Sequence, residues 1–387
     1  MPKITNWGKS IESNPAVITE AGSIDDIVAV MKDKETYPSP VRAIGSNHST
    51  TRCGVADSGT VLLMKRMNRI IEIDTEKMTV TAEPGAMYID VAYALREKGL
   101  QFYVNVELGN LSLGSACCGG TKDASMPGEF GQVCSYAIAF KLVLPDGSIR
   151  IVDESEPELL QLTRSSYGLF GVVAEVTFKV RKHVGMRTHH KSYRIDDFAR
   201  ELPAIIARGE SMMLYLFPFR NKVTVEFREY TDISETSKRW IWRLRNWVWK
   251  TMAPTVGYIL VKIIPFKGLR YALVDGFNAI LAFMLNNLVR GSATSAADQI
   301  IRYPETSGIS RYTFSIWAFQ EENYPEIVKK YFTFCRDYYK KTGYRCNMLN
   351  VGYRIFTDTS SLFSYSYHGN VMTLDPVSTG NPGWLEF

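Results

Sequence analysis

The residues best suited to chemistry lie in two loops that are rich in glycine and other small residues. The first loop, Gly45-Ser46-Asn47-His48-Ser49, carries one of the five histidines of the chain, and the second runs from Gly114 to Thr121. Backbone N–H groups approach a phosphate closely only where bulky side chains are absent, so both loops suit a nucleotide. A loop histidine alone is more often solvated or structural than catalytic or cofactor-linked, so His48 must be judged by its neighbours.

Several common catalytic motifs are absent from the sequence. Neither loop has P-loop or GxGxxG spacing, and the chain contains no HExxH and no GxSxG motif. The cysteines show neither paired metal spacing nor a CxxC pair, which predicts free thiols in a reducing, cytoplasmic compartment and no metal site. They are Cys53, Cys117, Cys118, Cys134, Cys335 and Cys346.

Short strands and a helix are predicted to position the first loop. Val41–Ile44 reads as a strand that delivers the loop, and Thr60–Leu63 reads as a second apolar strand behind it. Ser23, just before an apolar-periodic run, predicts a capped helix ahead of these strands. A third glycine-bearing turn at residues 166–171 leads into a predicted strand at 172–180.

Three ordered segments resemble the FAD-binding domain of the vanillyl-alcohol-oxidase (PCMH) type, in particular its sugar and aldonolactone oxidase branch. The segments are residues 41–49, 112–121 and 168–176, and together with Glu83-Pro84-Gly85-Ala86 they follow the family order across most of residues 15–180. The resemblance implies an α+β fold, with a two-subdomain FAD-binding domain at 1–180. A substrate (cap) domain, built of an antiparallel sheet plus helices, is implied at 181–387.

The same resemblance implies FAD as the cofactor and assigns residues to it. The family's first loop wraps the pyrophosphate, and its histidine is often bonded to the flavin 8α-methyl, which makes His48 the candidate covalent anchor. The implied cofactor-binding residues are Arg42, Gly45, Ser46, Asn47, His48, Ser49, Pro84, Gly114, Ser115, Cys118, Gly119, Thr121, Gly168, Gly171, Val172 and Val173.

Two departures from the family pattern leave questions open. Many sugar oxidases follow the Gly-Thr pair with His-Gly, whereas this chain has Lys122-Asp123, so the substrate class is not fixed. Family members whose flavin has two covalent links to the protein carry the second linking residue, a cysteine, roughly where Gly109 and Asn110 stand here. Cys117 and the neighbouring Cys118 are therefore interpreted as buried spectator thiols rather than as a second link.

Three residues are candidates for catalysis. Lys122, near the implied flavin, is suited to stabilising negative charge or polarising a substrate oxygen; the alternative is a structural ion pair with Asp123 or Glu129. Arg354 and Tyr365 are candidates from the second part of the chain. For these two residues a structural Arg–carboxylate pair and a core tyrosine are the alternative interpretations.

The second part of the chain has fewer glycines and more aromatic residues. Residues 222–228 alternate apolar and polar side chains, which predicts a half-buried antiparallel strand. Residues 312–319 and 361–368 follow a similar pattern, and residues 324–341 predict an amphipathic helix. The chain stops at Phe387, where relatives usually return to the flavin domain, so we expect the usual C-terminal end to be missing.

A tryptophan-rich basic segment interrupts this pattern at 237–290. Four of the seven tryptophans lie at 240–249, interleaved with cations. An apolar stripe (Trp240, Leu244, Trp247, Val248) opposes Arg239, Arg243, Asn246 and Lys250 on a helical wheel, and Lys238 and Arg245 complete the basic set. Two interpretations stay open, namely a peripheral membrane contact through 238–250 and a cap helix packed on its own sheet; a spanning helix is not favoured.

Composition narrows the function further. The net charge is only +5 on 387 residues, which argues against nucleic-acid binding and leaves a small-molecule substrate. The amino terminus lacks the apolar region of a secretory signal, so we expect a cytoplasmic protein, with the membrane surface as an alternative. The oligomeric state is not predicted.

The sequence predicts an FAD-dependent oxidoreductase, either an oxidase or a dehydrogenase acting on CH–OH donors. It would oxidise a sugar-, alditol- or lactone-like substrate, such as D-arabinono-1,4-lactone, by hydride transfer to flavin N5. One alternative is a membrane-associated flavin reductase or dehydrogenase that acts on a sterol-like or polyprenyl-linked substrate. A second alternative is a flavin-binding protein without catalysis.

Overall fold

The computed structural model of the protein describes residues 2–236, 239–306 and 308–387, without the side chain of Arg239. Strands and helices of the first part, in chain order, are β1 (Ile4–Thr5), β2 (Glu12–Ser13), β3 (Val17–Glu20), α1 (Ile24–Lys32), β4 (Val41–Ile44), β5 (Thr60–Leu63), β6 (Ile70–Asp74), β7 (Thr79–Ala82), α2 (Tyr88–Glu97), β8 (Leu100–Gln101), α3 (Leu113–Cys118), β9 (Ala137–Val143), β10 (Ile149–Asp153), α4 (Pro157–Thr163), β11 (Val172–Lys179) and β12 (Arg181–Lys182).

The second part begins after β12. Its strands and helices are β13 (Gly185–Arg194), α5 (Ile195–Ile206), β14 (Ser211–Phe217), β15 (Lys222–Thr231), α6 (Arg239–Trp247), α7 (Ala253–Ile263), α8 (Lys267–Met284), β16 (Ala293–Ser295), α9 (Ala296–Gln299), β17 (Thr313–Phe314), β18 (Trp317–Gln320), α10 (Tyr324–Thr342), β19 (Asn350–Ile355), β20 (Val371–Leu374) and β21 (Val377–Ser378). Two π-helical turns, Val248–Met252 and Leu285–Val289, follow α6 and α8.

Local chemistry explains where the elements of the first part begin and end. The Ser23 hydroxyl accepts a hydrogen bond from the Asp26 N–H at 3.2 Å and caps α1, as the sequence predicts. Helix α2 is followed by Gly99 at φ +70°, the left-handed conformation that favours glycine after a helix. The β9–β10 hairpin turns at Gly147 with φ +80°.

Two sheets of the first part frame the cofactor loops. β4 and β3 flank β5 in a parallel three-stranded sheet, and β10-β9-β11-β7-β6 form an antiparallel five-stranded sheet. Helices α2 and α3 pack on the larger sheet through an apolar cluster that includes Ile89, Leu95, Leu113, Phe140 and Phe178. The strands that deliver the first loop and follow the third segment are therefore held by a packed core.

The second part is built on one antiparallel sheet with the order β16-β13-β15-β14-β19-β20-β18. Helices α5 and α10 cover one face of it, through residues such as Phe198 and Phe332. Met213, Tyr215 and Phe217 project from the other face and pack against α6 and α8. The predicted α+β architecture, with an antiparallel-sheet cap after the first unit, is confirmed.

The strand predicted at 222–228 is present as β15 but is buried more completely than its alternation suggests. Thr224, Glu226 and Arg228, predicted to lie on an exposed face, are buried like their apolar neighbours. The reason is that elements cover both faces of the sheet, so the polar row lies between layers and must be satisfied by partners within the protein.

Two other strand predictions are wrong. Residues 312–319 split into β17 and β18, which pair with β21 and β20 respectively. Residues 361–368 form turns, because serine hydroxyls bind the local backbone: Ser361 Oγ accepts from Phe363 N at 3.3 Å, and Ser364 Oγ accepts from Ser366 N at 3.2 Å. Such bonds satisfy the backbone without a strand partner.

The tryptophan-rich segment is helical, but its burial differs from the helical-wheel expectation. Trp240, Leu244 and Trp247 are exposed, whereas Val248, placed on the same stripe, is buried. Arg245 is buried and forms an ion pair with Glu107, so it adds nothing to the basic surface. Lys238 and the side chain of Arg239 lie outside the described residues.

Candidate cofactor and active site

A cavity of about 400 Å³ lies between the two parts of the chain. Its volume falls in the range of about 300–1,000 Å³ that is usual for small-molecule and cofactor sites. The wall contains all sixteen residues predicted to bind the cofactor, from the first loop to Val173. Cap residues from β14, β19 and the α6–α7 region, including Met213, Tyr353 and Trp249, complete the wall.

The first loop is held by contacts with the amino-terminal strands. Asn47 adopts the left-handed conformation at φ +56°, which asparagine tolerates better than most residues. Its side-chain amide donates to the Thr5 carbonyl at 3.0 Å, and its own carbonyl accepts from the Trp7 N–H at 2.7 Å. The turn therefore leaves the neighbouring Ser46 and His48 at the cavity wall.

His48 is buried at this wall and stacks on Trp7, with ring centroids 4.7 Å apart. Burial, with a smaller contribution from the positive charge of Lys65, lowers the pKa of His48 to about 4. The imidazole is therefore neutral at physiological pH. A neutral ring nitrogen has a free electron pair, which is the form needed for a bond to carbon or for accepting a hydrogen bond.

Glycines allow the three segments to approach each other closely. A Cβ on Gly45 would lie 1.9 Å from Ser112 Oγ, and a Cβ on Gly114 would lie 2.7 Å from Pro84 Cβ. The third segment is tied to the second by backbone bonds from Ser165 to the Cys117 carbonyl at 2.9 Å and from Tyr167 to the Cys118 carbonyl at 2.7 Å. This geometry fits FAD, because three backbone segments without bulky side chains converge on one cavity.

The two neighbouring cysteines of the second loop differ in their surroundings. All six cysteines are free thiols; Cys117 is buried in the core, whereas Cys118, interpreted from the sequence as a buried spectator thiol, is only half-buried and lines the cavity. Among the described residues no cluster of histidine, cysteine and acidic side chains could hold a metal ion.

Lys122 lies in the cavity wall, but its partner is neither of the two residues proposed for it. Its Nζ donates to Asp375 Oδ2 at 2.7 Å and lies 3.7 Å from the centre of the Tyr353 ring. Burial raises the pKa of the Asp375 carboxyl, and the charge of Lys122 opposes that rise. Glu129, the other proposed partner, pairs with Arg181.

Asp123, the neighbour of Lys122, belongs to a buried network of charges. Arg228 donates to Asp123 Oδ1 and to Glu226 Oε1, each at 2.7 Å. Glu226 Oε2 is also bonded to His190 and to the Tyr215 hydroxyl, each at 2.9 Å. Arg228 holds the pKa of Glu226 well below its usual range despite burial, whereas burial raises the pKa of Asp123.

The two remaining catalytic candidates are placed differently. Tyr365 lines the cavity, and its hydroxyl donates to the Gly120 carbonyl at 3.1 Å; burial raises its pKa. Arg354 does not line the cavity, because its guanidinium binds Glu321 and the Glu210 carbonyl on the other side of β19. Arg354 therefore has the alternative role considered for it, a structural Arg–carboxylate pair.

Several cavity residues were missed by sequence reasoning. Asp375, Trp249 and Glu107 line the wall, and Trp7 stacks on His48. No local motif marks these residues, because each reaches the site through contacts distant in sequence. Both interpretations of the tryptophan-rich segment, a membrane contact and a cap helix packed on its own sheet, give Trp249 no role at the cavity.

Comparison with known proteins identifies the class. Residues 15–153 match the family model described as "FAD binding domain", which covers the first loop, the second loop and the β9–β10 hairpin. The chain therefore contains an FAD-binding domain of the PCMH type, FAD is its cofactor, and the resemblance drawn from the sequence is confirmed.

Individual relatives are distant and longer than this chain. L-gulonolactone oxidase of Bos taurus is 22% identical over 68% of this chain and 57% of its own length. D-arabinono-1,4-lactone oxidase of Candida glabrata is 23% identical over 61% of this chain and 46% of its own length. The cholesterol oxidase structure from Brevibacterium sterolicum has a TM-score of 0.75 and 15% identity, and covers 100% of this chain and 81% of its own. The last likeness establishes the fold.

Proposed function

We propose that the protein is an FAD-dependent oxidoreductase that oxidises the CH–OH group of a small-molecule donor. The observation that carries this proposal is that the three cofactor segments share one cavity with two cap residues, Asp375 and Tyr353. Both of these residues contact Lys122. When bound, FAD supplies the two-electron acceptor. The lactone-oxidising relatives favour a sugar-, alditol- or lactone-like donor.

The chain's own residues have defined tasks in this proposal. We assign His48 to anchoring the flavin, by a covalent bond or by contact, because it is buried, neutral and held against Trp7. The loop amides at Gly45–Ser49 and Gly114–Thr121 would bind the pyrophosphate. Lys122, as a buried cation, would orient the donor oxygen, and the aromatic cap wall would exclude water.

The test uses the purified holoprotein and follows flavin absorbance without oxygen. A panel of alditols, aldonolactones and sterols is added, and bleaching by any donor, reversed by air or an artificial acceptor, supports the proposal. Absence of bleaching by the whole panel would leave the flavin-binding protein without catalysis as the better description. Acid precipitation tests the anchor: flavin that stays with the protein, and is freed by His48→Ala, supports a covalent bond.

A second class of donor is favoured by one specific observation. The cap side of the cavity is mostly apolar, with Met213, Trp249, Phe314, Ile316 and Leu349 in its wall. Sugar hydroxyls would find few partners on such a surface, whereas a sterol-like or polyprenyl-linked alcohol would bury its apolar part there. Bleaching by the sterols alone would select this alternative over the sugar-like donor.

We further propose that the protein, within a reducing cytoplasmic compartment, contacts an anionic membrane surface through α6, α7 and α8. These helices and the turn between α7 and α8 expose large apolar side chains within residues 240–283. They include Trp240 (63% exposed), Trp247 (47%), Ile263 (67%), Phe266 (73%), Leu269 (54%), Ile280 (64%) and Phe283 (62%). Exposed apolar patches of this extent are rare on proteins that meet only water.

The charge of the same stretch complements anionic lipid. Besides the buried Arg245, residues 239–290 contain seven lysines and arginines and one acidic residue, Asp275, which pairs with Arg345. Among the described residues, Lys267–Val289 is long and apolar enough to cross a membrane by length and composition alone. Tyr271, Val274 and Leu281 on this helix are buried, which favours a helix lying in the interface rather than crossing the bilayer.

Flotation with vesicles tests this contact. Vesicles of phosphatidylcholine with phosphatidylserine should carry the protein upward at low salt, and Ile263→Asp combined with Phe266→Asp should reduce the floated fraction severalfold. Ile151→Asp, which also changes an exposed apolar residue but on β10, is the matched control and should float like the unmodified protein. No flotation at low salt, or equal loss in the control, would reject the membrane contact.

A further inference from the structure

Asp375 lies in the cavity wall with only one of its carboxylate oxygens engaged. Oδ2 accepts from Lys122 Nζ at 2.7 Å, and each of the two side chains is 4% exposed. Oδ1 is buried and accepts no hydrogen bond of normal geometry among the described residues, although the Thr373 hydroxyl lies close enough to the carboxyl to oppose the rise that burial causes in its pKa. Buried carboxylate oxygens nearly always have a partner, so this oxygen calls for a ligand or a reaction that uses it.

Three neighbouring ionisable groups of the cavity are already engaged, and Glu107, another carboxylate of the wall, forms an ion pair with Arg245. Asp123 Oδ1 accepts from Arg228 and from the Ala124 N–H, at 2.7 and 2.6 Å. The hydroxyls of Tyr215 and Tyr365 donate to Glu226 and to the Gly120 carbonyl. Asp375 therefore differs from these groups in offering a strong acceptor atom at the wall.

We propose that Asp375 accepts the hydroxyl proton of the donor through Oδ1, an inference that rests on the oxidation proposed above. The donor C–H bond breaks and its hydrogen leaves with both electrons, for which FAD, when bound, would be the acceptor. The O–H bond breaks, its proton bonds to Asp375 Oδ1, and its electron pair forms the carbonyl π bond. The donor loses two electrons and two protons in total, and Asp375 later returns its proton to water.

Lys122 positions this acceptor and keeps it ionised. The groups that face Asp375 are Lys122 from the segment after α3, Tyr353 on β19, Tyr365 in the 361–368 turns and Tyr324 on α10. Only Lys122 among them carries a positive charge. Burial makes the carboxylate a stronger base than a solvated aspartate, while Lys122 prevents burial from neutralising it.

The kinetic test uses the donor that bleaches the flavin fastest in the panel. Asp375→Asn keeps the shape but removes the basic carboxylate that takes up the proton, so the limiting bleaching rate should fall by about 10²–10⁴-fold. The acid limb of its pH profile should also disappear. Asp337→Asn, an exposed aspartate on α10, is the control and should leave both unchanged. A rate within about threefold of the unmodified protein, with the same acid limb, would overturn the proposal.

A second variant separates proton transfer from a structural role. Lys122→Gln removes the cation, so the Asp375 carboxyl becomes harder to ionise and the acid limb should move to higher pH. A purely structural ion pair would lower the rate without moving that limb, and this result would count against the proposal. The Lys122 variant also serves if Asp375→Asn does not fold.

A measurement without substrate distinguishes this inference from the proposed function. Carbon-13 NMR of protein labelled at aspartate carboxyls, with the Asp375 signal assigned by its loss in Asp375→Asn, gives the titration of this group directly. A pKa above the ordinary aspartate value of about 3.9 supports the proposal, and a lower value overturns it. If no donor bleaches the flavin, the proposed function fails, whereas this titration still decides the state of Asp375.

Discussion

Replacing Arg228 by methionine should destabilise the protein strongly, and the structure indicates how much. The substitution leaves Asp123 and Glu226 buried, each having lost a 2.7 Å bond to the guanidinium. Removing one partner of a buried ion pair costs about 3–5 kcal/mol. With a slope near the upper end of about 1–3 kcal/mol per molar urea, even 3 kcal/mol lowers the unfolding midpoint by roughly 1 M.

The pH dependence of this loss has a definite sign. Without the guanidinium, burial raises the pKa of both carboxyls in the folded state above their unfolded values. The variant's loss in free energy of unfolding is then largest near neutral pH, where the carboxyls of the unfolded chain are ionised. The loss becomes smaller as the pH falls, because the carboxyls then take up protons in both the folded and the unfolded state. The urea unfolding midpoint of Arg228→Met should therefore differ most from that of the unmodified protein near pH 7, and the two midpoints should approach each other near pH 4.

An exposed pair supplies the control. Arg200 pairs with Asp197 on α5, with side chains 69% and 41% exposed, so Arg200→Met should cost less than about 1 kcal/mol at any pH. Equal losses of free energy of unfolding in the two variants would refute the assignment of a buried network. A loss for Arg228→Met that grows toward acid pH would refute it as well.

The other predictions concern the cofactor site. Because the pKa of His48 is about 4, flavin attachment should be as complete at pH 5.5 as at pH 8, measured as acid-stable visible absorbance; a steep fall toward pH 5.5 would show a solvated histidine. Gly114→Ala should lower the FAD content, because the new Cβ meets Pro84 Cβ at 2.7 Å, while Gly268→Ala, in open space, should retain it. Equal FAD content in both would contradict the close approach at Gly114.

Much of the first part could be predicted from the sequence because its signals are local. Val41–Ile44 and Thr60–Leu63 are strands as expected, and the capped helix at Ser23 is present. A glycine-bearing loop allows close backbone approach in any structural context, since the absence of a Cβ is a property of the residue itself. The ordered set of loops therefore carries the family resemblance that implied an FAD-binding domain.

Periodicity failed where tertiary contacts override it. The alternation in β15 suggested a half-exposed strand, but Glu226 and Arg228 are buried because layers cover both faces of the sheet. Residues 361–368 alternate as a strand would, yet serine side chains satisfy the backbone in turns. Arg245 looked like part of a basic surface and instead pairs with Glu107.

The sequence by itself determined the class of cofactor, through a family resemblance, the place of the small-residue loops and the presence of an unusual cationic, aromatic segment. Only the tertiary structure decided which side chains face the cavity and which face outward. Lys122 and Asp375, for instance, are 253 positions apart and meet because the cap sheet folds back over the loops. Such pairs arise from the packing of layers, which no local pattern of residue types encodes.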